Sequence, residues 1–263
     1  MKLKRLLLVI VTVVFALLAI LLGGHLDWFK PVPVGNEQAF TFRDGFEDAG
    51  TFLELYPKDL SRWHGWQLVP AENKNDLTSE VVHSGRQALK CFASAKRNDV
   101  TSKADVLREQ LRFVKGDHVW SECWFLLQGG ASAENVFLWD LESSTKWQSP
   151  GRRVYLEKGD VIASDLGKWF TSSVFRQASH HALRFPLDRW VRLRVHLFLS
   201  EQSDGIMEVW QDETKVIDAR GQTLPTAKTI YDRLEVGLTA NGSTEHAHTL
   251  YVDDVTISNR AFW

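Results

Sequence analysis

The sequence predicts an all-β fold, a two-sheet antiparallel β-sandwich preceded by one N-terminal hydrophobic helix. Three observations carry that reading. From Ala39 onward, about a dozen short segments alternate apolar and polar residues or concentrate β-branched and aromatic ones. Turn signals separate them, among them Gly45, Lys115-Gly116-Asp117, Gln128-Gly129-Gly130, Ser149-Pro150-Gly151, Ser203-Asp204-Gly205 and Asn241-Gly242. No internal repeat or low-complexity stretch interrupts the pattern, so residues 39–263 read as one two-layer domain.

In chain order, Lys2, Lys4 and Arg5 precede an uncharged run from Leu6 to Gly24, close to the length that spans a bilayer. The run exceeds a usual signal-peptide core, and no A-x-A cleavage site follows it. Residues 1–24 therefore read as an uncleaved signal anchor, with a cleaved signal peptide as the alternative. Basic residues on the N-terminal side put the bulk of the chain on the periplasmic or extracellular face, held to the membrane through residues 6–24. Residues 25–38, with Pro31 and Pro33, form a short stiff linker.

The strand segments follow. "AFTFRDGFE", "SEVVHSG", "QALKCFA", "DVLREQLRF", "HVWSECWFLL", "NVFLWDLES", "RRVYLEK" and "KWFTSSVF" come first. "RWVRLRVHLFLS", "GIMEVWQD", "TKVIDA", "RLEVGLTA" and "HTLYVDDVTIS" complete the domain. Short helices fit only near Asp59 and over 226–231. Cys91 and Cys123 sit at alternating positions within strands, as a disulfide or as two buried thiols. A net charge of −2 gives no general attraction to nucleic acid. Eleven Trp residues suit either a core or stacking on sugars.

Alternation places polar residues together. Arg108, Gln110 and Arg112 share one side of "DVLREQLRF"; Arg153, Tyr155 and Glu157 share one side of "RRVYLEK". In "FLWDLES", Leu138, Asp140 and Glu142 fall on one side, with Phe137, Trp139 and Leu141 on the other. If these strands share a concave sheet, they line a groove suited to a polysaccharide. Salt bridges from Asp140 and Glu142 to Arg108 or Arg112 are the structural alternative. Trp190, Arg192, Arg194, His196 and Phe198 form a second basic and aromatic face, which as a solvated surface needs no function.

The order "FRDGFED…SEVVHSGRQALK…ADVLREQLRFVKGD…FLWDLES…SPGRRVYLE…FPLDRWVRLRVHLFLS…DGIMEVWQD…LYVDDVTIS" resembles jelly-roll polysaccharide lyases of the heparin lyase I and alginate lyase type. More broadly it resembles the concanavalin A-like lectin/glucanase superfamily, over nearly all of residues 40–258. The resemblance implies a jelly-roll sandwich and β-elimination from a uronate-containing chain. That reaction needs a base beside the uronate carboxylate and donors that neutralise it. Arg108 matches the arginine of the R-x-E-L-R strand of alginate lyases. Asp140 and Glu142 stand where Gln and His are expected, and Glu235 and Thr239 where Lys and Tyr are. Against the glucanase pattern E-x-D-x-E, Leu138 stands at the nucleophile, which disfavours retaining hydrolysis.

The expected catalytic residues are accordingly Arg108, Glu142, Tyr155 and His196, with His180 a further candidate base. Expected substrate contacts are Gln110, Arg112, Asp140, Arg153 and Arg194. "DGFED" and "YVDDV" near the two ends would become neighbours, so that Glu47 and Asp253, with Asp44 and Asp254, gather oxygen ligands for a structural Ca²⁺. His246 and His248 alternate but read as surface. The function expected is an extracytoplasmic lyase of acidic polysaccharide. A non-catalytic carbohydrate-binding module or an envelope structural protein are the alternatives.

Overall fold

The computed structural model describes residue 32 and residues 35–144, 150–167, 173–178, 180 and 182–263. The hydrophobic run at residues 6–24 and most of the linker lie outside them, as does His181. Among the described residues no helix is long and apolar enough to cross a membrane.

Two antiparallel sheets stack face to face. The first contains β1 (Thr41–Asp44), β3 (Lys74–Thr78), β4 (Ala88–Ala93), β6 (His118–Leu127), β11 (Val191–Phe198), β12 (Ile206–Gln211), β13 (Thr214–Arg220) and β15 (His248–Ser258). Its order is β13-β12-β11-β6-β15-β4-β3, and β1 pairs with β15 beyond the end of β4. The second contains β2 (Gly65–Val69), β5 (Ser102–Arg108), β7 (Val136–Glu142), β8 (Arg152–Glu157), β9 (Val161–Leu166), β10 (Ser173–Arg176) and β14 (Arg233–Asn241). Its order is β10-β9-β8-β7-β14-β5-β2.

Alternation builds the core between the sheets. Along β6, Val119, Ser121, Cys123, Phe125 and Leu127 are buried while the residues between them are more exposed. Val191, Leu193, Val195 and Leu197 do the same on β11. From the seven-stranded sheet, Ala104, Val106, Val154, Leu234 and Val236 meet them in one cluster. Trp139 of β7 ties the layers: its indole N–H donates to Ser121 Oγ at 3.1 Å, and that hydroxyl donates to Thr256 C=O at 2.9 Å. At one end Trp63 is fully buried, stacked on Phe46 at 5.9 Å and edge-on to Phe42 at 5.3 Å. Gly151 admits no side chain, because a Cβ there would lie 2.1 Å from Leu141 C=O.

Several local expectations change. Residues 79–87 form turns and not a strand, and the helical turn falls at Phe52–Leu55, before Asp59. The stretch 226–231 is a turn closed by Thr229 N–H on Thr226 C=O at 3.1 Å. Both cysteines are free and buried, and burial raises both thiols, Cys123 to about 12.

Candidate active site

Register fixes which side chains share a face. Asp140 of β7 lies opposite Arg153 of β8 and Glu235 of β14, and Glu142 lies opposite Arg233. Asp165 of β9 lies opposite Arg153 on its other side. Leu107 of β5 lies opposite Glu235, so Lys103 and Asp105 fall on the same side of the sheet. The outer face of the seven-stranded sheet therefore collects Lys103, Asp105, Asp140, Glu142, Arg153, Asp165, Arg233 and Glu235.

A β-bulge alters the pattern read from FLWDLES. The β7–β8 register shifts between Phe137 and Trp139, which leaves Leu138 unopposed. Leu138 is fully buried in the core. Phe137 instead joins the polar face, stacked on Tyr155 at 4.6 Å with the Arg153 guanidinium 4.5 Å from its ring. The position beside Asp140 on this face thus holds an aromatic ring and not Leu138.

The charges interlock. Glu235, fully buried, takes Lys103 at 3.3 Å on one oxygen and Arg233 at 3.3 Å on the other, with Gln67 donating at 3.2 Å. Arg233 also reaches Glu142 at 3.8 Å and Glu109 at 3.4 Å. Arg153 forks onto Asp165 with bonds of 2.7 and 2.8 Å. Asp140, Glu142 and Glu235 each bring a carboxylate oxygen within 4.8 Å of the others. Both oxygens of Asp105 and Oδ1 of Asp140 are buried without a hydrogen-bond partner. Burial pushes both carboxyls well above the usual range; Glu235 adds to this at Asp105, and Arg153 opposes it at Asp140. Burial works to discharge Lys103, but Glu235 and Asp105 outweigh it and keep the ammonium protonated. Burial raises Tyr155, with Asp165 and Glu157 adding to it.

Of the residues expected at the site, Asp140, Glu142, Arg153 and Tyr155 come together here. Arg108 does not. It lies opposite the buried Leu234, so it turns to the other side of the sheet from Asp140. There it donates to Leu60 C=O at 2.9 Å and to Arg62 C=O, and covers the Phe42 ring at 4.7 Å. It lines a pocket of about 410 Å³ with Arg43, Asp44 and Arg62. Gln110 has a left-handed backbone (φ 61°), which ends the alternation, so Gln110 and Arg112 do not continue Arg108's face. Both are exposed, and Arg112 donates to Asn36 Oδ1 at 3.0 Å.

His196 and Arg194 belong to the other sheet, on its outer face. His196 bonds His118 at 2.8 Å and Glu208 at 2.6 Å under a stacked Trp120 at 3.9 Å. Arg194 donates to Asp212 C=O at 3.1 Å and Glu213 at 3.2 Å. His180 is an exposed loop residue before β11. His248, expected at the surface, is buried.

A sequence model of the family described as polysaccharide lyase matches residues 57–256, well over half of the chain. The chain belongs to the polysaccharide lyase family. Among solved structures, the fold of this polysaccharide lyase is similar to an endo-β-1,4-glucuronan lyase from the fungus Trichoderma reesei. That match has a TM-score of 0.64 at 13% identity, covering 82% of this chain and 94% of the other. The cellulose induced protein Cip1 matches with a TM-score of 0.58 at 16% identity, covering 83% and 97%. The alginate lyase Aly36B matches at 0.50 and 9%, covering 82% and 96%. Identities this low speak for the fold. No curated protein sequence matches the chain significantly.

Lys103, Asp105, Gln67, Asp165 and Arg233 also belong to this face, beyond the residues expected from the sequence. The signal for two of them was present. Starting the strand at Ser102 puts Ala104 and Val106 in the core, hence Lys103 and Asp105 on the polar side and Arg108 away from it.

The two ends of this polysaccharide lyase domain meet as expected, since β1 pairs with β15. His83, Asp253 and Asp254 bring ligand atoms within 4.8 Å of one another. Asp253 accepts from the N–H groups of His83 and Ser84 at 3.0 and 3.1 Å, and burial lifts its carboxyl to about 6. His83 Nδ1 lies 2.7 Å from Asp254. Glu47 instead accepts from the N–H groups of Arg86 and Gln87, which lower its carboxyl. Asp44 is held by Arg62 at 3.0 Å and stands apart from that group.

Proposed function

We propose that this chain cleaves an acidic, uronate-containing polysaccharide by β-elimination on the outer face of the seven-stranded sheet. The observation that carries the reading is the gathering of Lys103, Arg153 and Arg233 with Asp140, Glu142 and Glu235 on one sheet face of a polysaccharide lyase fold. Arg153 and Arg233 hold the uronate carboxylate. Glu142 takes the proton from the carbon beside it, and the electron pair left behind forms the carbon–carbon double bond. The glycosidic C–O bond breaks, and the leaving oxygen collects a proton from the Lys103 ammonium. The solved glucuronan and alginate lyases of similar fold support acidic chains as the substrate class. Phe137 and Tyr155 offer a stacked edge for neighbouring sugars.

The chain is further proposed to act outside the cytoplasm, held by residues 6–24. A Ca²⁺ bound by Asp253 and Asp254 would tie β15 to the turn at 83–84.

A second reading is binding without turnover. It is favoured by one observation: none of the described strand residues on this face is a histidine. Mass spectrometry of oligosaccharides after incubation with uronate polysaccharides separates the readings. Elimination yields fragments lighter by one water than hydrolysis does, and binding alone yields none.

A further inference from the structure

Glu235 is the hub of the polar face, and it lies out of a ligand's reach. Its side chain, on β14, is fully buried. Oε2 accepts from the Lys103 ammonium of β5 at 3.3 Å. Oε1 accepts from Arg233 at 3.3 Å and from Gln67 of β2, two strands away, at 3.2 Å. Both oxygens are occupied, and donors from three strands converge on one carboxylate.

The two cations around this hub are placed differently. The Lys103 and Arg233 side chains are 26% and 23% exposed, against none of Glu235. A ligand on the face can touch both cations and cannot touch the carboxylate that anchors them. The charged groups facing Lys103 are Asp105 on its own strand, Glu235 on β14, and Asp140 and Glu142 on β7, while β2 brings the neutral Gln67. Burial works against the charge of Lys103, and Glu235 is the largest influence that restores it.

We infer that Glu235 is a positioning residue, which holds the Lys103 ammonium and the Arg233 guanidinium in place without touching the ligand. What the two cations then do rests on the lyase reading. In that reading an N–H bond of Lys103 breaks, the leaving oxygen gains the proton, and a neutral amine remains beside Glu235. Arg233, tied to the same carboxylate, is fixed in direction for the uronate carboxylate.

The test follows Lys103 by NMR titration of the full-length chain labelled with ¹³C at lysine Cε, its resonance assigned by its absence from Lys103→Arg. In the wild type, Lys103 should be less deprotonated at pH 10 than the exposed lysines. In Glu235→Gln, which keeps the size of the side chain, Lys103 should titrate lower by about 1–3 pH units. Glu235→Asp, which keeps the charge, should shift it less. With a uronate polysaccharide, the alkaline limb of the rate profile should move down in Glu235→Gln and recover in part in Glu235→Asp. Circular dichroism is recorded for each variant, and the wild-type comparison decides if Glu235→Gln fails to fold. Lys103 titrating with the exposed lysines in the wild type, or unshifted in folded Glu235→Gln, overturns the inference. The Lys103 shift without any unsaturated product from the wild type upholds the positioning and removes only the lyase reading.

Discussion

Arg153 stands directly across the β7–β8 ladder from Asp140, yet its guanidinium forks onto Asp165 on the opposite side, with bonds of 2.7 and 2.8 Å. The bidentate pair fixes the plane of the guanidinium, and the ring of Phe137 packs against it at 4.5 Å. Asp140 is left with one oxygen unpartnered beside a positioned cation. On the proposed reading, a sugar carboxylate and its neighbouring hydroxyls would meet donor and acceptor side by side.

Replacing Arg153 with Ala should weaken binding of a uronate oligosaccharide tenfold to a hundredfold, the usual worth of about 1.5–3 kcal/mol for a charge-assisted contact. Arg108→Ala, whose side chain lies across the sheet, should change that affinity less than twofold and show instead as a lower Tm. Calorimetric titration and thermal melting of the two variants check both halves. Equal losses of affinity would contradict the assigned faces.

This contrast marks what the sequence could convey. Strand β6 was legible to the residue, because strict alternation and a one-sided core leave one register. The side chosen for β5 was not, because its last polar residues, Arg108 to Arg112, suggested an alternation that the left-handed Gln110 breaks. Phe137 lies on the opposite face from the one simple alternation gives, because a bulge adds one residue, and alternation alone carries no sign of that. Nor does alternation say which sheet a strand joins. Arg194 and His196 sit on a polar face as regular as that of Arg153, but in the other sheet.

Trp63→Ala should cost about 3–5 kcal/mol of stability, the range for truncating a large buried aromatic. The side chain is fully buried, stacked on Phe46 and edge-on to Phe42, so its removal leaves a cavity beside both rings. Urea unfolding of wild type and variant measures the difference.

Burial holds the His248 imidazole below its ordinary range, and His246 adds to the effect. A group with a depressed folded-state pKa contributes stability that is complete above its unfolded value, near 6.5, and is lost as pH falls through the folded value. The lifted Asp253 carboxyl works in the opposite direction over the same window, so the test is the difference: between pH 7.5 and about 5, His248→Gln should lose less Tm than wild type does. An identical slope in the variant would assign it to other groups.

If Ca²⁺ ties Asp253 and Asp254 to the 83–84 turn, chelation should lower the Tm and Asp253→Asn should remove most of that sensitivity. Saturation to about a hundred times the dissociation constant is worth about 2.7 kcal/mol. Melting curves with and without chelator decide it.

The central claim is that elimination takes place on the face holding Glu142 and not on that holding Arg194. Initial rates of unsaturated-product formation from a uronate polysaccharide, read by ultraviolet absorbance, test it directly. Wild type and Arg194→Ala should form the product at similar rates, and Glu142→Gln should form it at less than a hundredth of that rate while still binding the chain. Undiminished product formation by Glu142→Gln, or its loss in a folded Arg194→Ala variant, would contradict the account.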